Sequence, residues 1–151
     1  QKSEALIFRD MAREALFGMG ASEIQTYSFV SPKGLDRIKV AEDSQMRDSV
    51  RLINPLGEEN SMMRTSLLPN MLEVLERNFS RNIPAVKAFE IGNIFLNIEG
   101  ELGLPIEKES LCIACYGQEQ SFFTLKGIVD EMLLKVGIRD LQYDLSSGKV
   151  R

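Results

Sequence analysis

Apolar residues recur at helical spacing in three stretches of the chain, and alternate or run together in the stretches between them. From Ser3 to Met19, Phe8, Met11, Ala12, Ala15 and Met19 share one face, with Arg9, Arg13 and Glu14 free to face water. This predicts a helix stopped by Gly20. Ile24 to Val30, with Tyr27 and Phe29 on one side of the pleat, reads as a strand ended by Ser31-Pro32. Lys33 to Ser49 is polar and mixed in charge, a surface excursion with room for one short helical turn. Val50 to Ile53 reads as a strand broken by Asn54-Pro55 and Gly57.

The second helical stretch runs from Ser66 to about Asn82. Ser66 can cap it, and Pro69 lies in its first turn, where a missing N–H costs nothing. Leu68, Leu72, Leu75 and Phe79 follow steps of four and three, the narrow seam of helix bundles, and Met71 and Val74 widen it beyond what one sheet needs. Glu73 and Arg77 form an i,i+4 pair on the polar side. Val86 to Leu96 reads as a strand in which Gly92 allows a bulge or a close approach, and Leu111 to Tyr116 as its antiparallel partner. Ser121 opens a third helix, with Leu125, Ile128, Val129, Met132, Leu133 and Val136 on one face and Gly137 closing it; Leu141 to Leu145 starts one more strand. Strands interrupted by helices without strict alternation predict an α+β fold, an antiparallel sheet flanked by helices, over residues 1–151 as a single domain.

Composition adds what the pattern cannot. Apolar residues at 44% and charged residues at 26% fit a soluble domain with one core. Eighteen Lys and Arg against twenty-two Asp and Glu give a charge of −4, which argues against a free-standing nucleic-acid binder. No apolar run approaches the roughly 20 residues that span a bilayer, so no membrane partner is expected and the chain reads as cytoplasmic. A start at Gln1 without Met reads as a piece of something longer.

Candidate chemistry is sparse. With no histidine, Ser/His and Cys/His nucleophile pairs are excluded. Cys112 and Cys115 have zinc or redox spacing, but on a strand residues three apart point to opposite faces, and a structural zinc needs four ligands. Both read as small buried side chains. Neither common glycine-rich phosphate cradle occurs, and Glu58-Glu59 and Glu99/Glu101 read as solvated loop carboxylates. The aromatic residues are expected in the core.

One string carries a resemblance. Asn54-Pro-Leu-Gly-Glu-Glu-Asn-Ser-Met-Met-Arg-Thr-Ser-Leu-Leu-Pro69 resembles the β subunit of bacterial-type phenylalanine–tRNA ligase, where an NPL…MRTSLLP signature leads into a long helix. Gly18-Met-Gly20 with Thr26-Tyr-Ser-Phe-Val-Ser-Pro32, Phe89-Glu-Ile-Gly92 with Ile94-Phe95, and Phe122-Phe-Thr-Leu-Lys126-Gly127 agree in order and spacing. Asn54, Pro55, Thr65, Ser66, Pro69, Phe89, Glu90, Gly92, Lys126 and Gly127 are the signature residues.

The resemblance implies a class II aminoacyl-tRNA synthetase-like fold, catalytic in ancestry but inactive, in a module that continues beyond Arg151. It implies that the α subunit activates phenylalanine with ATP and Mg²⁺, that this module binds no cofactor and carries no catalytic residue or metal, and that its partners are the α subunit and a second β subunit, with tRNA held by other regions. Aligning the class II strand arginine, two positions before an acidic residue, on Val86–Leu96 puts Ala88 in the arginine's place and Glu90 in the acid's, with Lys87 on the other face. The long helix is then a subunit interface made by Arg64, Leu68, Met71, Leu72, Leu75 and Phe79. The same seam could instead cover the domain's own sheet, and Arg64 could pair internally with Glu59 or Glu90. Two other functions are a class II fragment that activates an amino acid unaided and a stand-alone regulatory or protein-interaction paralogue.

Overall fold

The computed structural model describes residues 3–99 and 104–143. Helix α1 (Glu4–Gly18) starts at Ser3, whose hydroxyl accepts from Leu6 N. It ends in Met19 followed by Gly20 at φ +76°, a left-handed turn that glycine takes without penalty. The chain then enters a mixed sheet. Short β1 (Ser22–Glu23) runs parallel to β4 (Val86–Glu99), and β4 pairs antiparallel with β5 (Pro105–Tyr116) over nearly its whole length. The expected hairpin is therefore present and longer than the apolar runs suggested, while the sheet is not purely antiparallel.

The segment Ile24–Val30 is not one strand. After β1 the chain leaves the sheet, and only β2 (Phe29–Val30) pairs again, antiparallel with β3 (Met62–Met63) in a second sheet. Val50–Ile53 contributes only a bridge at Arg51, opposite Met62. The polar stretch holds the short helix α2 (Lys33–Arg37) and a 3₁₀ turn at Gln45–Arg47. Leu35, Val40 and Met62 form a small core beneath these pieces. Residues 141–143 form no strand, and 144–145 lie outside the described residues.

Helix α3 (Leu68–Ser80) starts later and ends earlier than its apolar pattern suggests. Leu67 holds the cap position, so Ser66 is not the cap; its hydroxyl accepts from Leu68 N at 3.2 Å, bracing the turn just ahead of the helix. Asn82 has φ +59° and lies past the end. Helix α4 (Phe122–Lys135) has a capping box in which Ser121 Oγ accepts from Thr124 N and Thr124 Oγ1 accepts from Ser121 N.

Side chains alternate across β4. Phe89, fully buried, points into a core with Ala12, Ala15 and Leu16 of α1 and Ile128 and Met132 of α4. Phe8 and Met11, read as part of that packing face, are instead 47% and 41% exposed, because the strip of α1 that meets Phe89 is made by Ala12, Ala15 and Leu16, with Phe17 edge-on to the Phe89 ring at 5.4 Å. The opposite face carries Ala88 and Glu90, paired with Ala114 and Cys112. Tyr116, on that same face, meets Phe79 edge-on at 5.9 Å, which places α3 there.

Candidate functional site

The face of β4 under α3 is organised around a buried ion pair. Arg64, 4% exposed, and Glu90, 2% exposed, join Nη1 to Oε1 at 2.8 Å. Arg64 Nε donates to Asn93 O at 2.8 Å, and Nη1 donates to Thr26 Oγ1 at 2.9 Å. Thr26 donates its amide to Glu90 Oε1 and its hydroxyl to Oε2, at 3.1 and 2.8 Å. The network is cooperative, and removing either charge alone would strand the other out of water.

The backbone of Arg64 does equal work. Its N–H donates to Ser28 O and its carbonyl accepts from Phe95 N, both at 2.9 Å, so one residue ties the segment before β2 to β4. Gly92 makes room: a Cβ there would stand 2.4 Å from Arg64 Nη2. Gly92 thus serves close approach and not a bulge; its pairing with Ser110 is regular, and the register shift falls between Leu96 and Glu99.

This geometry corrects two of the interface residues read from the sequence. Arg64 directs its guanidinium inward to Glu90, the internal alternative, and leaves no surface for a partner. Met71 is 0% exposed and belongs to this domain's own core. The other seam residues stay near the surface, with Leu68 and Leu75 half-buried, Leu72 41% exposed and Phe79 70% exposed. The expected Glu73–Arg77 pair does not form, because Glu73 and Glu76 both bind Arg37 of α2, at 3.1 and 2.6 Å.

Ala88 is 1% exposed and cross-paired with Ala114, so this position is packed within the fold. The two cysteines are free and lie on opposite faces, Cys112 opposite Glu90 and Cys115 opposite Lys87. Burial first, and the Glu90 charge second, push the Cys112 thiol up to about 11. Glu58 meets Lys33 at 3.2 Å with both side chains exposed, and Glu101 lies outside the described residues.

Other signature residues hold the frame. The Thr65 hydroxyl donates to Met46 O, Pro69 packs against the place where a Gly34 side chain would be, and Phe89 fills the core. Lys126 binds Asp130 at 2.7 Å and covers the Tyr143 ring, and Tyr143 OH also reaches Asp130. These contacts hold the Asp130 carboxyl below its ordinary value. Gly127 is exposed, with nothing near its absent side chain. Asn54 and Pro55 are exposed on a turn.

The aromatic residues are not all in the core. Tyr27, Phe79, Phe122 and Phe123 are 70% exposed or more, and so are the aliphatic Ile53 and Leu56. The available signal was position: Ile53 and Leu56 bracket Asn-Pro, a turn with no inner face to bury them. Among the described residues no helix is long and apolar enough to cross a membrane.

A parallel β1 beside an antiparallel hairpin, with helices on both faces, is the architecture of a class II-type synthetase. Pyrrolysyl-tRNA synthetase from Desulfitobacterium hafniense superposes with a TM-score of 0.78 at 18% identity, covering 97% of this chain and 52% of that one. A second structure of the D. hafniense enzyme gives 0.71 at 21% identity, over 93% and 49%. The sequence matches the phenylalanyl tRNA synthetase beta chain CLM domain over residues 1–149, and the chain belongs to that family. Phenylalanine–tRNA ligase β subunits of Clostridium acetobutylicum and Clostridium tetani are 40% and 39% identical to it over 94% and 91% of its length. The chain spans 18% and 17% of those relatives.

Proposed function

We propose that this module is a non-catalytic assembly element of the ligase β subunit, which holds the α subunit while the α subunit attaches phenylalanine to tRNA. ATP and Mg²⁺ act in the complete ligase, tRNA is bound by other regions, a second β subunit completes the assembly, and the cytoplasm is its place of work. The observation that carries this reading is the flank of α3: Leu72 stands exposed beside half-buried Leu68 and Leu75, and Phe79, though it meets Tyr116 edge-on, keeps 70% of its surface open. A silent active face is supported by Arg64 and Glu90, whose charges are bonded to each other and to Thr26.

The test is made in the full β subunit with its α partner. Leu72→Asp removes about 1.5–3 kcal/mol of burial at such an interface and adds a desolvation penalty, so the mass from light scattering should fall toward separate subunits on dilution. Unchanged assembly would remove α3 from the interface. Amino-acid-dependent pyrophosphate exchange by the β subunit alone would overturn the non-catalytic reading.

A further inference from the structure

The side chain of Arg64 is held as a bound guanidinium ion would be held. It leaves the chain just after β3 and reaches acceptors that belong to other segments. Asn93 O and Glu90 Oε1 on β4 each lie at 2.8 Å, and Thr26 Oγ1, between β1 and β2, lies at 2.9 Å. One acceptor meets Nε and two meet Nη1, while Gly92 leaves the space beside Nη2. A planar fork of N–H groups satisfies that set, and a compact ammonium does not.

The acceptors owe their positions to the rest of the fold. Asn93 is paired with Glu109 in the β4–β5 ladder. The Glu90 carboxylate is oriented by Thr26, whose N–H donates to Oε1 at 3.1 Å and whose hydroxyl donates to Oε2 at 2.8 Å. Thr26 is anchored two residues earlier, where Ile24 N donates to Phe89 O at 2.8 Å. A carboxylate only 2% exposed, already oriented by two hydrogen bonds, is preorganised for a cation whichever molecule supplies it. The site also has an approach. Thr26 lines a cavity of about 350 Å³ between the β2 segment and α3, beside exposed Tyr27 and Arg77, so the residue that holds both members of the ion pair is also a wall of an open cleft.

We propose that Thr26, Glu90 and the Asn93 carbonyl form a guanidinium-binding site at the wall of this cleft, which the chain closes with its own Arg64 in an autoinhibitory contact. Without that side chain the site receives a free alkylguanidinium ion. The proposal uses neither Leu72 nor Phe79 and is independent of the assembly reading.

The experiment uses full-length β subunit assembled with α, unsubstituted or carrying Arg64→Gly, titrated with methylguanidinium or methylammonium and followed by saturation-transfer NMR. The expected result is one additional saturable site in the variant, with a Kd of about 1–10 mM for methylguanidinium and binding roughly 10-fold or more weaker for methylammonium. Adding Glu90→Gln to Arg64→Gly should weaken methylguanidinium binding by roughly a further 10-fold. The proposal is overturned if the variant binds no more methylguanidinium than the unsubstituted enzyme, if it binds methylammonium equally well, or if Glu90→Gln leaves the binding unchanged. Should Arg64→Gly yield no soluble enzyme, refolding with about 10 mM of either ion becomes the readout. Recovery with methylguanidinium alone supports the site, and any other pattern of recovery overturns it.

Discussion

The guanidinium of Arg64 occupies the space that a side chain on Gly92 would need, with Nη2 2.4 Å from the position of a Cβ there. Such a clash is cheap when the neighbour can swing away. Arg64 cannot, because its Nε and Nη1 are held by Asn93 O, Thr26 Oγ1 and Glu90. Gly92→Ala should therefore destabilise the fold by about 1–3 kcal/mol, the range for overpacking a closed site. Urea unfolding would show it as a lower midpoint at unchanged slope. An alanine variant as stable as the parent would mean that Arg64 is not locked.

The ion pair makes a sharper prediction, because its two charges should not contribute independently. Arg64→Met leaves the Glu90 carboxylate buried with only Thr26 as donor, and should cost about 3–5 kcal/mol. Adding Glu90→Gln to that variant removes the stranded charge and keeps an acceptor for Thr26, so it should recover a large part of the loss. A double-mutant cycle measures the coupling, and additive effects would show that the pair is not a unit.

Much of this fold was legible because its periodicities are local. The α1, α3 and α4 patterns, the β4–β5 hairpin and the opposed cysteines follow from spacing alone. What was not legible depends on contacts between distant segments. Nothing in Ser22–Val30 says that its two ends pair with different strands, Ser22–Glu23 with β4 and Phe29–Val30 with β3. The Phe8 and Met11 positions lie on the apolar side of α1, but the strip that meets Phe89 is the neighbouring one of Ala12, Ala15 and Leu16. For the candidate site, the sequence offered Glu59 and Glu90 as internal partners of Arg64 without deciding between them, and marked Gly92 without saying that it makes room for the guanidinium. Met71 and Leu72 are adjacent in one apolar run, and only the direction of the helix separates a core residue from a surface one.

Cys112 offers a pH test. Its thiol in the folded chain holds its proton up to about pH 11, whereas in an unfolded chain cysteine ionises near 8.5. The proton is therefore lost first from the unfolded state, and the favourable contribution of the half-buried neutral thiol is complete below about pH 8.5 and declines as pH rises toward 11. In a Cys115→Ser background, alkylation of Cys112 near pH 8 should be slow in folded protein and fast in denaturant, because the thiolate is the reactive form. Rapid labelling of the folded protein at pH 8 would contradict the burial of that face under α3.

Helix α4 starts on a reciprocal capping box. Its inner side buries Ile128 and Met132 against Phe89, while the turn that starts it carries Phe122 and Phe123, 71% and 78% exposed and meeting each other edge-on at 5.6 Å. The reciprocal Ser121–Thr124 bonds are then the local reason that the helix begins there. Ser121→Ala removes the acceptor for Thr124 N and should cost about 1 kcal/mol. For a domain of this size that is roughly 2–4 °C in melting temperature. Ser121→Asp keeps an acceptor and adds a charge favourable to the helix start, so it should restore the loss. Equal melting temperatures for the alanine and aspartate variants would show that Gly117–Gln120 and the Phe89 core set the start of α4 without the cap.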